Sequence, residues 1–389
     1  MSTSATPVQP PRTGVAVLYG LGAKVRQFPD GVSLGRGDPD FDTPQHIRDA
    51  VRNALEQPSR AKSVAKVRRE LHEAIAKRLK AVNKIDVDPE TEIVLTQGGQ
   101  EALVVMAVTA LGPGDEIIMA EPNYSTYADA IKLANGVRVP IKTAIEDNFV
   151  YDPERVRAAI TPRTRAIALV SPNNPTGAVI PPESVRAFAK IAQEHDLIVL
   201  ADDIYDRFLY DGAVHTSPAS LPGMKSRTMT LNALSKAYAM TGWRLGWVAG
   251  PAPLMRQLKR VKEAMSADVS ALSLYAGLAA LTGPQQPMFD MAAAYTRRRE
   301  VVMKALDKMQ LPYGRPQGGQ FLLVDIRSVG MSAFEFVERM VDEAHVLVYP
   351  GISFGEDWTG FVRMTFLQPE EVLAEALRRM GDFVARIRR

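Results

Sequence analysis

Short apolar runs that end in polar or glycine-rich loops, and then give way to helical periods, recur through the middle of this chain. Glu92–Thr96, Glu116–Pro122, Arg165–Val170, Leu197–Asp202 and Thr228–Asn232 each read as a buried strand, with helices expected over Glu101–Leu111 and Pro182–His195. Apolar strands alternating with amphipathic helices predict an α/β fold with a mostly parallel sheet, in which ligands bind beyond the carboxyl ends of the strands. With 389 residues and 46% apolar side chains, the chain has ample material for a large core and for more than one domain.

The chemistry stands at those strand ends. Thr228–Asn232 leads to Ser235 and Lys236, with small residues around them and Arg244 eight positions on. A lone lysine is usually a solvated surface group. Here small neighbours let backbone approach a ligand, and the planar arginine fork suits a phosphate. A lysine beside a phosphate site points to an aldehyde cofactor held as a Schiff base. Gly98, Gly99 and Gln100 open a predicted helix, where unpaired N–H groups and the helix dipole aim at one anion. Asp202 closes an apolar strand, and a buried carboxylate calls for a partner.

The run from Ser235-Lys236 to Gly242-Trp243-Arg244-Leu245-Gly246 resembles the lysine signature of class I/II pyridoxal-phosphate (PLP) aminotransferases, the aspartate-aminotransferase-like branch of fold type I. Four further segments resemble that family in order: Leu34 to Phe41 with Gly37, the loop Asn174-Pro175-Thr176-Gly177, the pair Asp202 and Tyr205, and Pro350 to Gly355 ahead of Arg363. The resemblance implies a large domain over residues 46–285 with a mostly parallel mixed sheet flanked by helices. It also implies a smaller α+β domain over 286–389, joined by the segment 14–45.

It further implies a role for each residue. Lys236 carries the PLP Schiff base and moves the substrate proton. Asp202 faces the ring nitrogen, and Asn174 and Tyr205 hold the phenolic oxygen. Tyr124 stacks on the ring, while Arg244, Ser235 and the amides of Gly98, Gly99 and Gln100 grip the phosphate. Gly37, Asn174 and Arg363 receive the substrate carboxylate. The implied reaction moves an amino group from an α-amino acid to a 2-oxo acid by a ping-pong route, in a homodimer whose active sites lie at the interface.

One departure stands out. Lys62 and Val67 occupy the positions of a family tyrosine, which reaches the partner subunit's cofactor phosphate, and of a following glycine. That leaves substrate choice open and keeps a carbon–sulfur β-lyase, cyclase or oxidase reaction with the same equipment in play. The basic stretch Pro58–Arg69 reads otherwise as a solvated helix face.

Other readings fall away. Val15–Gly22 looks like a strand entering a dinucleotide loop, but Val25 stands where the third glycine belongs. His72-Glu73 lacks the second histidine of a zinc helix, since Ala76 stands there, so no metal site is read. Gly351–Gly355 matches a nucleophile elbow, yet no helix-forming run follows Ser353 and no histidine lies beyond His345. A net charge of +3, from 47 basic against 44 acidic side chains, gives no polyelectrolyte signal for nucleic acid. About thirty residues precede the family-like region, too few for the DNA-binding domain of a PLP-sensing regulator. No apolar run approaches the length of a membrane span. The first thirteen residues lack a signal-peptide pattern and read as a mobile arm, and the absence of cysteine suits a cytoplasmic enzyme.

Overall fold

The computed structural model describes residues 15–56 and 61–388. In chain order the strands are β1 (Val32–Ser33), β2 (Ile93–Thr96), β3 (Glu116–Glu121), β4 (Val137–Lys142), β5 (Thr164–Val170), β6 (Ile198–Asp202), β7 (Thr228–Ala233), β8 (Gly246–Ala249), β9 (Phe321–Asp325), β10 (Val346–Leu347), β11 (Tyr349–Pro350) and β12 (Phe361–Thr365). Seven of them form one sheet in the order β2-β8-β7-β6-β5-β3-β4. The pairs β4–β3, β3–β5, β5–β6 and β6–β7 are parallel, and β8 runs antiparallel to both its neighbours.

The near-continuous apolar runs are explained by burial on both faces of this sheet. Ile117 and Met119 of β3, with Ala166, Ala168 and Val170 of β5, pack into one cluster. Their alternates Ile118, Ile167 and Leu169 pack into another on the opposite face. The direction of β8 decides where Arg244 goes. Because β8 runs backwards, its beginning lies at the edge where the parallel strands end, so Arg244 joins the residues that follow those strands.

A second core gathers Leu21, Val25 and Leu34 from the start of the chain with helices Gln286–Met309, Ala333–Ala344 and Glu370–Ile387. Those helices pack on the antiparallel sheet β11-β12-β9. The strand β1 pairs in parallel with β10, and the Leu34 carbonyl accepts from Thr365 N at 2.6 Å. The segment after Leu34 is thereby laid along the C-terminal sheet, which carries Gly37 to within reach of Arg363.

Several elements differ from the sequence expectation. The run beginning at Val15 is a helix, Val15–Val25, not a strand. Leu21 and Val25, four apart, fall on one helical face and bury in the second core, a helical period that outweighs the β-branched start. Helix Ala61–Arg78 takes in the C-terminal part of the basic stretch and Lys62, because Val64, Val67, Leu71 and Ile75 make a continuous apolar stripe against a core. It then passes into a π-helical turn, Leu79–Asn83. The region read as one helix from Pro253 is two, Ala252–Ser266 and Ala271–Thr282, parted at Ala267, whose φ of 50° lies in the left-handed half of the map. β4 and the helix Thr126–Leu133 have no counterpart in the sequence expectation. Residues 1–14, including the arm, as well as Pro58, Ser59, Arg60 and the Lys62 side chain, lie outside the described set.

The two cores meet at Gly177. Its φ is +73°, its carbonyl accepts from Gln317 N and Gly318 N at 2.9 and 3.0 Å, and a Cβ there would sit 2.6 Å from the Phe321 carbonyl oxygen. Gly177→Ala is therefore expected to cost about 2–4 kcal/mol, from the left-handed backbone and the overpacking together. The midpoint of denaturant unfolding checks this, and an unchanged midpoint would show that the Pro316–Phe321 backbone retreats freely.

Candidate active site

A cavity of about 540 Å³ opens at the strand ends of the large sheet. Every residue to which the family resemblance gave a role lines it except Gly98: Gly37, Gly99, Gln100, Tyr124, Asn174, Asp202, Tyr205, Ser235, Lys236, Arg244 and Arg363. Gly98 lies directly behind, against Arg244.

Lys236 sits on the one-turn helix Leu234–Ala237 that follows β7. Its side chain is only 14% exposed, its amine donates to the Gly37 carbonyl at 2.6 Å, and Asp38 Oδ1 lies 3.6 Å away. Burial pulls the amine below the ordinary lysine range, while Asp38 works in the opposite direction. Asp202 ends β6. Its Oδ2 accepts from the Tyr127 hydroxyl at 2.9 Å and its Oδ1 from Ile204 N at 3.1 Å. Burial raises this carboxyl to about 6, with the Ile204 N–H and the Tyr127 hydroxyl pulling it back and Asp203 pushing it further up.

The anion end is built from backbone. Gly98 has φ +83° and precedes helix Gly99–Ala110, whose first intrahelical bond is Ala102 N to Gly98 O at 3.3 Å. The N–H groups ahead of that bond have no intrahelical acceptor. Arg244, itself in the left-handed region at φ 52°, donates to the Thr241 carbonyl at 3.0 Å and the Gln97 carbonyl at 3.1 Å. Those two bonds pin the guanidinium over the helix start. A Cβ on Gly98 would lie 2.7 Å from Arg244 Nη2, and one on Gly246 would lie 2.9 Å from the Gly98 carbonyl carbon, so both glycines are required by close approach.

The opposite wall is Arg363, on the middle of β12 in register with Tyr349 of β11 and Leu323 of β9. It is 4% exposed and sits 4.7, 5.1 and 5.2 Å from the rings of Phe354, Tyr349 and Phe321. Its Nη1 donates to Asn174 Oδ1 at 2.9 Å and its Nη2 to the Gly35 carbonyl. Its Nε is buried without a protein partner. An unmet donor on a buried guanidinium is a place for a carboxylate. Tyr205 is buried, its ring edge-on to Phe321 at 5.0 Å.

Two contributors escaped the sequence reading. Tyr127 lies on the helix Thr126–Leu133, which has no counterpart in the sequence expectation, and no motif marks it for the site. Asp38 reads as turn chemistry, and its approach to Lys236 depends on how β1 docks. The elbow-like run resolves as a short 3₁₀ turn, Gly351–Phe354, with Ser353 buried and no helix after it.

Comparison with known proteins places the chain in a family. The family model for aminotransferase class I and II covers residues 29–380. The chain belongs to the class I and II aminotransferases. It is 42% identical to the arginine–pyruvate transaminase of Pseudomonas aeruginosa, over 94% of this chain and 93% of that one. It is 39% identical to the aspartate/prephenate aminotransferase of Thermus thermophilus, over 93% of each. Among solved structures, the Thermus thermophilus aspartate aminotransferase with maleate superposes with a TM-score of 0.87 at 36% identity, over 96% of this chain and 97% of that one. The fold is that of fold type I, and the enzyme is a PLP-dependent aminotransferase.

The residues present fit that cofactor. The glycine cradle and Arg244 suit its phosphate, Asp202 a protonated ring nitrogen, and the Lys236 amine its aldehyde. Gly98→Ala is expected to drive Arg244 off its two carbonyl partners and to weaken PLP uptake by on the order of tenfold or more, the loss of one charge-assisted contact. Titration of cofactor-free protein checks this, and an unaltered Kd would place the phosphate elsewhere.

Proposed function

We propose that this aminotransferase moves an amino group from an α-amino acid to a 2-oxo acid in a ping-pong cycle, with Lys236 as anchor and as proton carrier. The observation that supports this is the convergence of an amine, a carboxylate and a guanidinium with an unmet donor on one cavity. When bound, PLP supplies an aldehyde that exchanges its imine bond between lysine and substrate amine, and a ring that withdraws electrons from the substrate α-carbon.

Asp202 holds the ring-nitrogen proton. Its carboxyl, raised to about 6, is ionised at neutral pH, and a cationic partner would bring its proton affinity back down. Asn174 and Tyr205 serve the phenolic oxygen, and Tyr124 offers a ring face. The Lys236 amine, made less basic by burial, takes the α-proton at neutral pH and returns it on the far side of the transfer. Arg363 receives the substrate carboxylate on Nε and its remaining Nη hydrogens, with the Gly37 backbone alongside. Arg244, Ser235 and the amides from Gly98 to Gln100 take the phosphate.

The same reading makes the protein a cytoplasmic homodimer with shared active sites. It divides each subunit into a large domain over 46–285 and a small domain over 286–389 joined by 14–45. The gathering of Leu21, Val25 and Leu34 into the C-terminal core supports that division. Among the described residues no helix is long and apolar enough to cross a membrane.

Arg363→Lys tests the substrate assignment. Loss of the planar fork is expected to raise KM for amino donor and 2-oxo acid alike by on the order of ten- to a hundredfold, while cofactor binding holds. Equal rises in both half-reactions are the signature. An effect on neither KM would place the carboxylate elsewhere.

A further inference from the structure

Directly behind Asp202 and Tyr205 lies a second cluster of charges that the chemistry above does not use. Asp202 and Tyr205 face the cavity, while Asp203 and Asp206, from the same turn, face away from it and are 1% and 5% exposed. Arg78, at the end of helix Ala61–Arg78, bonds both oxygens of Asp206 at 2.8 and 2.9 Å. Asn83, the last residue of the π-helical turn, donates to Asp203 at 3.1 Å and Asp206 at 3.0 Å. Asn232 of β7 donates to the Asp203 carbonyl at 2.8 Å and to Asp206 at 3.2 Å, four residues before Lys236. The cluster thus grips the Asp202 turn and the strand that leads to the lysine.

Its charges do not balance without one more cation. Two carboxylates face a single guanidinium, and removing a partner from such a buried set is strongly unfavourable. The remaining member is His215, whose side chain is 6% exposed and whose Nε2 lies 3.3 Å from both Asp203 Oδ2 and Ser217 Oγ. Ser217 in turn donates to Asp203. The His215 Nδ1 is buried without a protein partner, so a proton can come or go there while Nε2 keeps its contact with Asp203.

We propose that His215 is a positioning residue for the cofactor-facing carboxylate: protonated, it completes a neutral set with Arg78, Asp203 and Asp206, and deprotonated it leaves a net negative charge behind Asp202. This rests on the reading of Asp202 as the partner of the ring nitrogen. The charged groups that face the imidazole are Asp203 and Asp206 from the turn after β6 and Arg78 from the helix end. Burial works to strip the proton, but the charge and hydrogen bond of Asp203 outweigh it, so His215 titrates above the ordinary imidazole range. The neutral set is therefore complete at low pH and is lost as pH rises through that elevated value. Above it, the uncompensated charge raises the proton affinity of Asp202 and of the ring nitrogen it holds.

Coupling of this kind is reciprocal, so loading the site must move the histidine. The experiment follows the His215 ring by NMR of histidine-labelled full-length protein, cofactor-free and loaded with pyridoxal 5′-phosphate, with H215Q to assign the resonance. The expected result is a titration midpoint that differs by about half a pH unit or more between the two states, a size set by two charges coupled through one turn. D203N is expected to lower the midpoint by about one unit or more, and serves as the assignment if H215Q fails to fold. The H215Q protein should also show a shifted pH midpoint for the visible absorbance of bound cofactor, which a purely structural role would not move. A midpoint identical in loaded and cofactor-free protein overturns the proposal. If D202A changes the spectrum of the loaded protein while His215 is indifferent to loading, only the coupling fails. If D202A leaves that spectrum unchanged, the reading of Asp202 itself fails.

Discussion

Asp202 is a carboxylate set at the end of an apolar strand with one tyrosine hydroxyl and one backbone N–H for company. Two neutral donors do not offset the removal of a full negative charge from water, and the carboxyl sits near 6 as a result. The site is arranged around that deficit. A cation brought to the cavity end of Asp202 would be stabilised there, and the glycine cradle at Gly98 and the Lys236 amine, on the same cavity, are the groups that would hold a ring carrying it. The chemistry of the enzyme depends on where this unpaired charge has been put.

The fold supplies the placement through three separate devices. The parallel strands carry Tyr124, Asn174, Asp202 and Lys236 to one edge. The reversed strand β8 starts at that same edge and so delivers Arg244 against Gly98, where two missing side chains let the guanidinium and the helix start touch. The third device is the docking of β1 on β10, which lays Gly35 to Asp38 across the cavity mouth between Lys236 and Arg363. The Lys236 amine and the Arg363 guanidinium therefore belong to different cores, bridged by one short segment. Relative movement of those cores alters the distance between them.

Much of this is legible in the chain because each group of reactive residues comes after an apolar run whose length is that of a strand. Asn174 to Gly177, Asp202 and Tyr205, and Ser235 with Lys236 all occupy that position, and burial on both sheet faces is what makes the runs continuous. Contributions set by tertiary docking leave no such mark. Asp38 looks like any turn residue until β1 is paired, and nothing marks Tyr127 until the fold brings its hydroxyl to Asp202. Helix Val15–Val25 reads as a strand because an apolar run of that length fits either element. The charges behind the site are hidden for a different reason. Arg78, Asn83, Asp203, Asp206, His215 and Asn232 come from scattered segments, and no spacing in the chain marks them as one cluster.

The central claim is that Asp202 keeps the nitrogen of the bound ring protonated. It is tested most directly by ¹⁵N NMR of the enzyme loaded with ring-labelled pyridoxal 5′-phosphate. The account predicts a pyridinium signal that persists from pH 6 to well above the pKa of the free cofactor's ring, and that collapses toward the neutral pyridine value in Asp202→Asn. A neutral pyridine signal in the unaltered enzyme at pH 7 would contradict it.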